Sequence, residues 1–120
     1  AYMRAYIDQV YPVYGYGLGT VILKCTDEVI GRAGLSVREG YELPELGFVI
    51  DVFHQHQGYG YEVCSAILRY AREELEFGKI QAMVKEKNQK SRRLLTKLGF
   101  VFERDVIEVN RNYKLFVKNL

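Results

Sequence analysis

Apolar positions along this chain alternate between two periods, and the changes of period mark the elements. Met3, Ile7 and Val10 recur at three- and four-residue spacing, which predicts an opening helix over residues 1–14, ended near Pro12 or Gly15. Tyr2, Tyr6, Tyr11, Tyr14 and Tyr16 decorate that segment, either as packing with a rim of hydroxyls or as a wall facing a substrate. From Gly19 to Ser36, two β-branched runs flank a Thr26-Asp27-Glu28 turn and predict an antiparallel hairpin. A third strand is expected from about Glu42 to Val52, densest at Phe48, Val49 and Ile50.

After the polar, glycine-rich break Gln55-His56-Gln57-Gly58-Tyr59-Gly60, the period returns to that of a helix. Val63, Ala66, Ile67, Tyr70, Ala71 and Leu75 fall on one side of it, and it should end near Phe77-Gly78. A short strand follows from Ile80 to Val84. Asn88 then reads as the N-cap of a helix through Leu94, Leu95 and Leu98, with Gly99 just past its end. Phe100 to Val109 and Tyr113 to Val117, joined by Asn110-Arg111-Asn112, complete a closing hairpin. The expected order is α-β-β-β-α-β-α-β-β, a mixed sheet with helices on both faces.

Composition narrows the class. With 120 residues, 48% hydrophobic and 27% charged, the chain suits one globular domain over residues 1–120. A net charge of +2 gives no footprint for nucleic acid or an anionic membrane, and no run of residues reaches membrane-spanning length. Two cysteines, Cys25 and Cys64, form no disulfide framework, which fits a reducing cytoplasmic setting. The first residue is Ala1 rather than Met, which leaves open a processed or truncated amino end.

The chemistry concentrates in the break at Gln55 to Gly60. Main-chain amides at the start of a helix converge on an anion, and glycines at 58 and 60 let a phosphate oxygen approach the backbone. Loops with two glycines also precede helices for steric reasons alone. A P-loop would need a Gly-Lys-Ser/Thr ending, and a dinucleotide fingerprint would need a third glycine; neither is here. His54 and His56 with Asp51 lack a further histidine or cysteine at ligand spacing, so no metal is expected.

Four segments together, Leu46-Gly47-Phe48-Val49-Ile50-Asp51, Gln55 to Glu62, Asn88-Gln89-Lys90-Ser91 and Lys97-Leu98-Gly99-Phe100, resemble the GNAT superfamily of N-acetyltransferases over roughly residues 15–110. The branch most similar is that of the ribosomal-protein N-terminal acetyltransferases. The resemblance implies an α/β (α+β) fold with a mixed, mostly antiparallel central sheet. It implies acetyl-CoA as co-substrate and transfer to a primary amine of a small molecule or protein N-terminus by direct attack.

Carried over by position, the resemblance gives Gln55, His56, Gln57, Gly58, Tyr59 and Gly60 the pyrophosphate of coenzyme A. Phe48, Val49, Ile50, Asp51 and Val52 would pair through main-chain groups with its pantetheine arm. Asn88 and Ser91 would lie near the pantetheine and sulfur; the neighbouring Lys90, Arg92 and Arg93 read either as a solvated helix face or as charge complementary to the 3′-phosphate. Glu45 would take the amine's proton, with Glu42 as the alternative and a solvated edge carboxylate as the plain reading. Ser91 would serve the departing thiolate, because the family's usual tyrosine position is Leu95 here; the plain readings of Asn88 and Ser91 are a cap and a first-turn residue. Cys64 is expected to be packed and inert.

By this resemblance the family's usual first strand and most of its first helices are missing, which together with the absent tyrosine leaves a non-catalytic acyl-CoA-binding or regulatory module as the alternative. A nucleotide-binding domain explains less, since it accounts for neither Asn88-x-x-Ser91 nor the closing hairpin. The edge of that hairpin could pair with a second copy to form a homodimer.

Overall fold

A computed structural model describes residues 5–10, 18–23, 28–50 and 58–120. Its elements are β1 (Ala5–Val10), β2 (Leu18–Leu23), β3 (Val29–Val37), β4 (Pro44–Ile50), α1 (Tyr59–Glu73), β5 (Lys79–Lys85), α2 (Gln89–Lys97), β6 (Val101–Glu108) and β7 (Arg111–Asn119). The strands form one sheet in the order β1-β2-β3-β4-β5-β7-β6. Every neighbouring pair is antiparallel except β4 and β5, so the sheet is mixed and mostly antiparallel, as expected.

The opening helix is a correction. Residues 5–10 form strand β1, paired antiparallel with β2 from Ala5↔Leu23 to Val10↔Gly19. The three- and four-residue spacing of Met3, Ile7 and Val10 rested on few positions, and ladder bonds to a neighbouring strand outweigh so weak a periodic preference. The Thr26-Asp27 turn, Cys25 and the tyrosines at 2, 11, 14 and 16 lie outside the described residues.

The remaining elements fall close to their predicted places. Helix α1 stops at Glu73, earlier than expected, and the Phe77 amide returns to the Ala71 carbonyl at 2.9 Å. Gly99, at φ +96°, ends α2 in the left-handed region that a side chain resists. The closing turn is tighter than predicted: Glu108 pairs with Arg111, leaving Val109 and Asn110, both at positive φ, as a two-residue link.

The alternation of β3, β4 and β5 separates two chemistries. Ile30, Ala33, Leu35, Leu46, Ile80, Ala82 and Val84 share one core cluster with Val63, Ile67 and Ala71 of α1 and Leu95 of α2, so α1 and α2 cover the same face. Among the described residues this corrects the expected helices on both faces, because the two crossovers step the same way along the sheet. The next residue on each central strand turns to the opposite face, where Glu45 and Gln81 lie side by side.

Candidate active site

The sheet is continuous up to β4 and then changes character. Strand β4 pairs with β3 at seven positions, from Gly31↔Ile50 to Val37↔Pro44. Against β5 its register holds at Glu45↔Gln81 alone. Both strands continue past that point, so the sheet parts between residues 46–50 and 82–85. Because the two strands are parallel, their carboxyl ends lie at the same end of the sheet, and each leads to the start of a helix. In open α/β sheets, ligands bind in a crevice outside the carboxyl ends of the strands.

Along β4, Phe48 packs against the core cluster, and Val49 points to the other face, largely exposed. The main chain of Gly47, Phe48, Val49 and Ile50 pairs with β3 on one side and holds no β5 register partner on the other. An extended ligand arm with amide groups could pair there, which suits the role implied for Phe48 to Ile50. Asp51, Val52, Gln55, His56 and Gln57 lie outside the described residues.

Gly58 opens α1 at φ +83°, ψ 0°, and no side-chain hydrogen bond caps the helix. A Cβ added to Gly58 would meet nothing within 4 Å, so its glycine character answers to backbone angle alone. Tyr59 turns into the core, and Gly60 is half-buried in the first turn. The start of α2 is closed differently: the Ser91 amide donates to Asn88 Oδ1 at 3.1 Å. Ser91 is half-buried in that first turn. Arg92 Nη1 donates to the Glu86 carbonyl at 3.2 Å, and Arg92 lines an open groove of about 730 Å³ between α2 and the β6–β7 hairpin. Arg93, Lys97 and Lys114 join it there over Phe102 and Phe116, a cationic rim on an aromatic floor.

Leu95 is fully buried in the core cluster. Cys64 is buried too, and burial pushes its thiol up to about 12, which suits packing rather than nucleophilic chemistry.

At the vertex of the parted strands stands Glu45, only 8% exposed, whereas Glu42 is exposed in the β3–β4 turn. A carboxylate this buried needs partners. Arg38 supplies a fork, Nε to Oε1 and Nη2 to Oε2, both at 2.8 Å. Gln81 Nε2 adds a bond to Oε1 at 3.1 Å. Arg38 Nη1 also donates to Glu108 Oε2 at 3.0 Å, and the Tyr41 hydroxyl to Glu108 Oε1 at 3.2 Å. The bond to Glu45 raises the Arg38 guanidinium above even its ordinary range. Desolvation first, and then the bond to Glu108, pushes the Tyr41 hydroxyl above the usual phenol value.

Sequence reasoning brought forward Glu45 but none of Arg38, Tyr41, Gln81 and Glu108. Gln81 left a faint signal, as a polar residue inside the apolar run Ile80 to Val84. Glu108 left none, because its tie to Arg38 spans 70 residues.

Comparison with known proteins agrees with this architecture. Residues 1–101 match the acetyltransferase (GNAT) domain family. The uncharacterized protein YkkB of Bacillus subtilis is 30% identical over 101 residues, which are 81% of this chain and 59% of YkkB. The uncharacterized N-acetyltransferase YoaA of the same organism is 34% identical over 76 residues, 62% of this chain and 43% of YoaA. The chain thus spans about half the length of these relatives. Among solved structures, an acetyltransferase from Agrobacterium tumefaciens superposes with a TM-score of 0.80 at 22% identity, covering 89% of this chain and 63% of its own. A ribosomal-protein-S5-alanine acetyltransferase from Vibrio fischeri gives 0.77 at 21% identity, covering 87% of this chain and 61% of its own. These likenesses establish the fold, and with the match over residues 1–101 the chain belongs to the GNAT acetyltransferase family.

Proposed function

We propose that this chain transfers an acetyl group from acetyl-CoA to a primary amine, of a small molecule or a protein N-terminus, by direct attack within a ternary complex. The observation that carries the reading is the parallel pair β4–β5, held in register at Glu45↔Gln81 and parting toward a helix whose N-cap is the left-handed Gly58. Main-chain groups along β4 without a register partner on β5 suit an amide-bearing arm, and a helix start at a glycine suits a phosphate. Acetyl-CoA supplies both, together with an activated acyl group.

In this reading Phe48 to Val52 bind the pantetheine arm through main-chain groups, and Gln55 to Gly60 bind the pyrophosphate. Arg92 meets the 3′-phosphate, and Asn88 orders the turn that carries Ser91. Glu45 accepts the proton of the incoming amine, which frees the nitrogen's electron pair. Ser91 offers its hydroxyl to the leaving sulfur, a modest donor that water would back, since Leu95 brings no hydroxyl to the helix. The setting we infer is cytoplasmic, with an amine and acetyl-CoA as partners and pairing of two copies through the terminal hairpin.

The burial of Leu95 favours a second reading, an acyl-CoA-binding module without turnover. Calorimetric titration with acetyl-CoA and ATP side by side, followed by acetylation of an amine panel, separates the cases. Selective binding with turnover is expected; binding without turnover on any amine selects the module, and no preference for acetyl-CoA removes both. Glu45→Gln should lower turnover about 10²–10⁴-fold while acetyl-CoA affinity holds. Full activity in Glu45→Gln with loss in Glu42→Gln would move the base to Glu42.

A further inference from the structure

Three N–H groups converge on the Glu45 carboxylate, and their distribution is uneven. Oε1 accepts from Arg38 Nε at 2.8 Å and from Gln81 Nε2 at 3.1 Å, whereas Oε2 accepts from Arg38 Nη2 alone, at 2.8 Å. A carboxylate oxygen offers about two acceptor directions. Among the described residues, Oε1 is therefore filled and Oε2 keeps one direction open. The two oxygens are chemically equivalent, so the fixed quantity is the direction in space from which a proton can arrive.

We propose that Arg38 and Gln81 are positioning residues that hold the Glu45 carboxylate with one acceptor direction, on Oε2, turned to the acceptor amine. The inference rests on the reading of Glu45 as the base. In the step itself an N–H bond of the incoming ammonium group breaks, its proton joins Oε2, and the bonding pair stays on nitrogen as the lone pair of the neutral amine that attacks.

The mounting is rigid for identifiable reasons. Gln81 is 2% exposed and stands directly across the register pair that joins β4 to β5, so its amide meets the carboxylate at the vertex where the strands part. Arg38 grips both oxygens through its planar fork, a geometry that lysine cannot reproduce. Its third nitrogen is anchored on Glu108, itself held by the Tyr41 hydroxyl, so the guanidinium has little freedom to rotate away. The chain of bonds runs from β5 through β4 and the β3–β4 turn to the end of β6. A base must lie within about 2.6–3.2 Å of the proton it takes, and a misplacement of about 1 Å can cost on the order of 100-fold.

The test uses the full chain and three measurements on each variant: single-turnover acetylation of a good amine, calorimetric acetyl-CoA affinity, and thermal unfolding. Arg38→Lys keeps the charge but loses the fork, and Gln81→Met keeps the size but loses the donor. Both should slow the single turnover about tenfold or more, with acetyl-CoA affinity changed by less than about threefold. Arg38→Ala should regain part of its rate when ethylguanidinium is added at millimolar concentration, and none with ethylammonium. Wild-type rates in Arg38→Lys and Gln81→Met, beside an inactive Glu45→Gln, would overturn the positioning role and leave the base in place. Rate losses that only follow a lower folded fraction, without guanidinium rescue, would make the network a brace and overturn it as well. If Glu45→Gln itself keeps its rate, the base assignment falls first, and this inference with it.

Discussion

Helices α1 and α2 start at the same end of the sheet, after parallel strands, yet their first residues solve the same problem in opposite ways. Every helix begins with main-chain amides that no intrahelical carbonyl can satisfy. At α2 the chain closes the gap itself, through Asn88 Oδ1 and the Ser91 amide. At α1 it offers Gly58, left-handed and without a side chain to cap anything. Uncapped amides at a helix start favour an anion by the helix dipole as well as by hydrogen bonds. The contrast teaches that α2 carries its own cap in Asn88, whereas Gly58 brings no side chain to the start of α1, an arrangement that suits an anion there.

The strongest way to break the contrast is to force a branched side chain onto the open start. Gly58→Val meets no crowding, but a β-branched residue strongly resists φ +83°. Acetyl-CoA affinity should fall on the order of 100-fold, as the turn adopts other angles and the amides disperse. Calorimetry checks this, and wild-type affinity in the variant would take the loop out of the site.

Ser91, on the closed start, sharpens the comparison from the other side. Ser91→Ala removes the hydroxyl but keeps the amide that Asn88 holds. If the hydroxyl serves the leaving sulfur, the single-turnover rate should drop about tenfold to 100-fold, below or at the low end of general-acid effects. A lower melting point with an unchanged rate would leave Ser91 a structural residue.

Transplanting one start onto the other is a finer probe. Asparagine tolerates the left-handed region and can cap, so Gly58→Asn should let α1 satisfy itself. We expect acetyl-CoA to bind about tenfold more weakly while the ligand-free protein melts no lower than wild type; tighter binding would contradict an open start. The reverse change, Asn88→Ala, should lower unfolding free energy by about 1 kcal/mol, read by denaturant titration. An affinity loss larger than that stability loss would restore Asn88 as a ligand contact.

The smallest effect lies on the buried side of α1. Burial raises the Cys64 thiol to about 12, above its value in an unfolded chain, so the neutral thiol is the favoured folded form. The stability it contributes is complete below about pH 8.5 and is lost as pH climbs toward 12. Near pH 7 nothing should change, and iodoacetamide should label Cys64 only on unfolding. Rapid labelling of the native protein at pH 8 would contradict its burial.

Much of this was legible before any coordinates. Hydrophobic and β-branched patterning located α1, α2 and the strands from β2 onward, because burial on one face imposes it directly. The Asn88 cap and the turn at Gly99 were equally readable, since each follows from the local preferences of one or two residues. The opening segment was not, because its sparse spacing suited a helix while pairing with β2 decided for a strand. Val109 also misled, since no local rule favours a valine at φ +48° in a two-residue turn.

The sequence by itself determined the family resemblance and the two helix starts, which rest on local preferences, and the alternation of strands and helices from which a mixed sheet follows. Only the tertiary structure decided what surrounds Glu45. Its partners Arg38 and Gln81 lie 7 and 36 residues away, Glu108 lies 70 from Arg38, and whether they meet depends on strand register and on the hairpin that brings Glu108 to Arg38. A shift of register by one residue would have turned Gln81 into the apolar core and left the carboxylate without that donor.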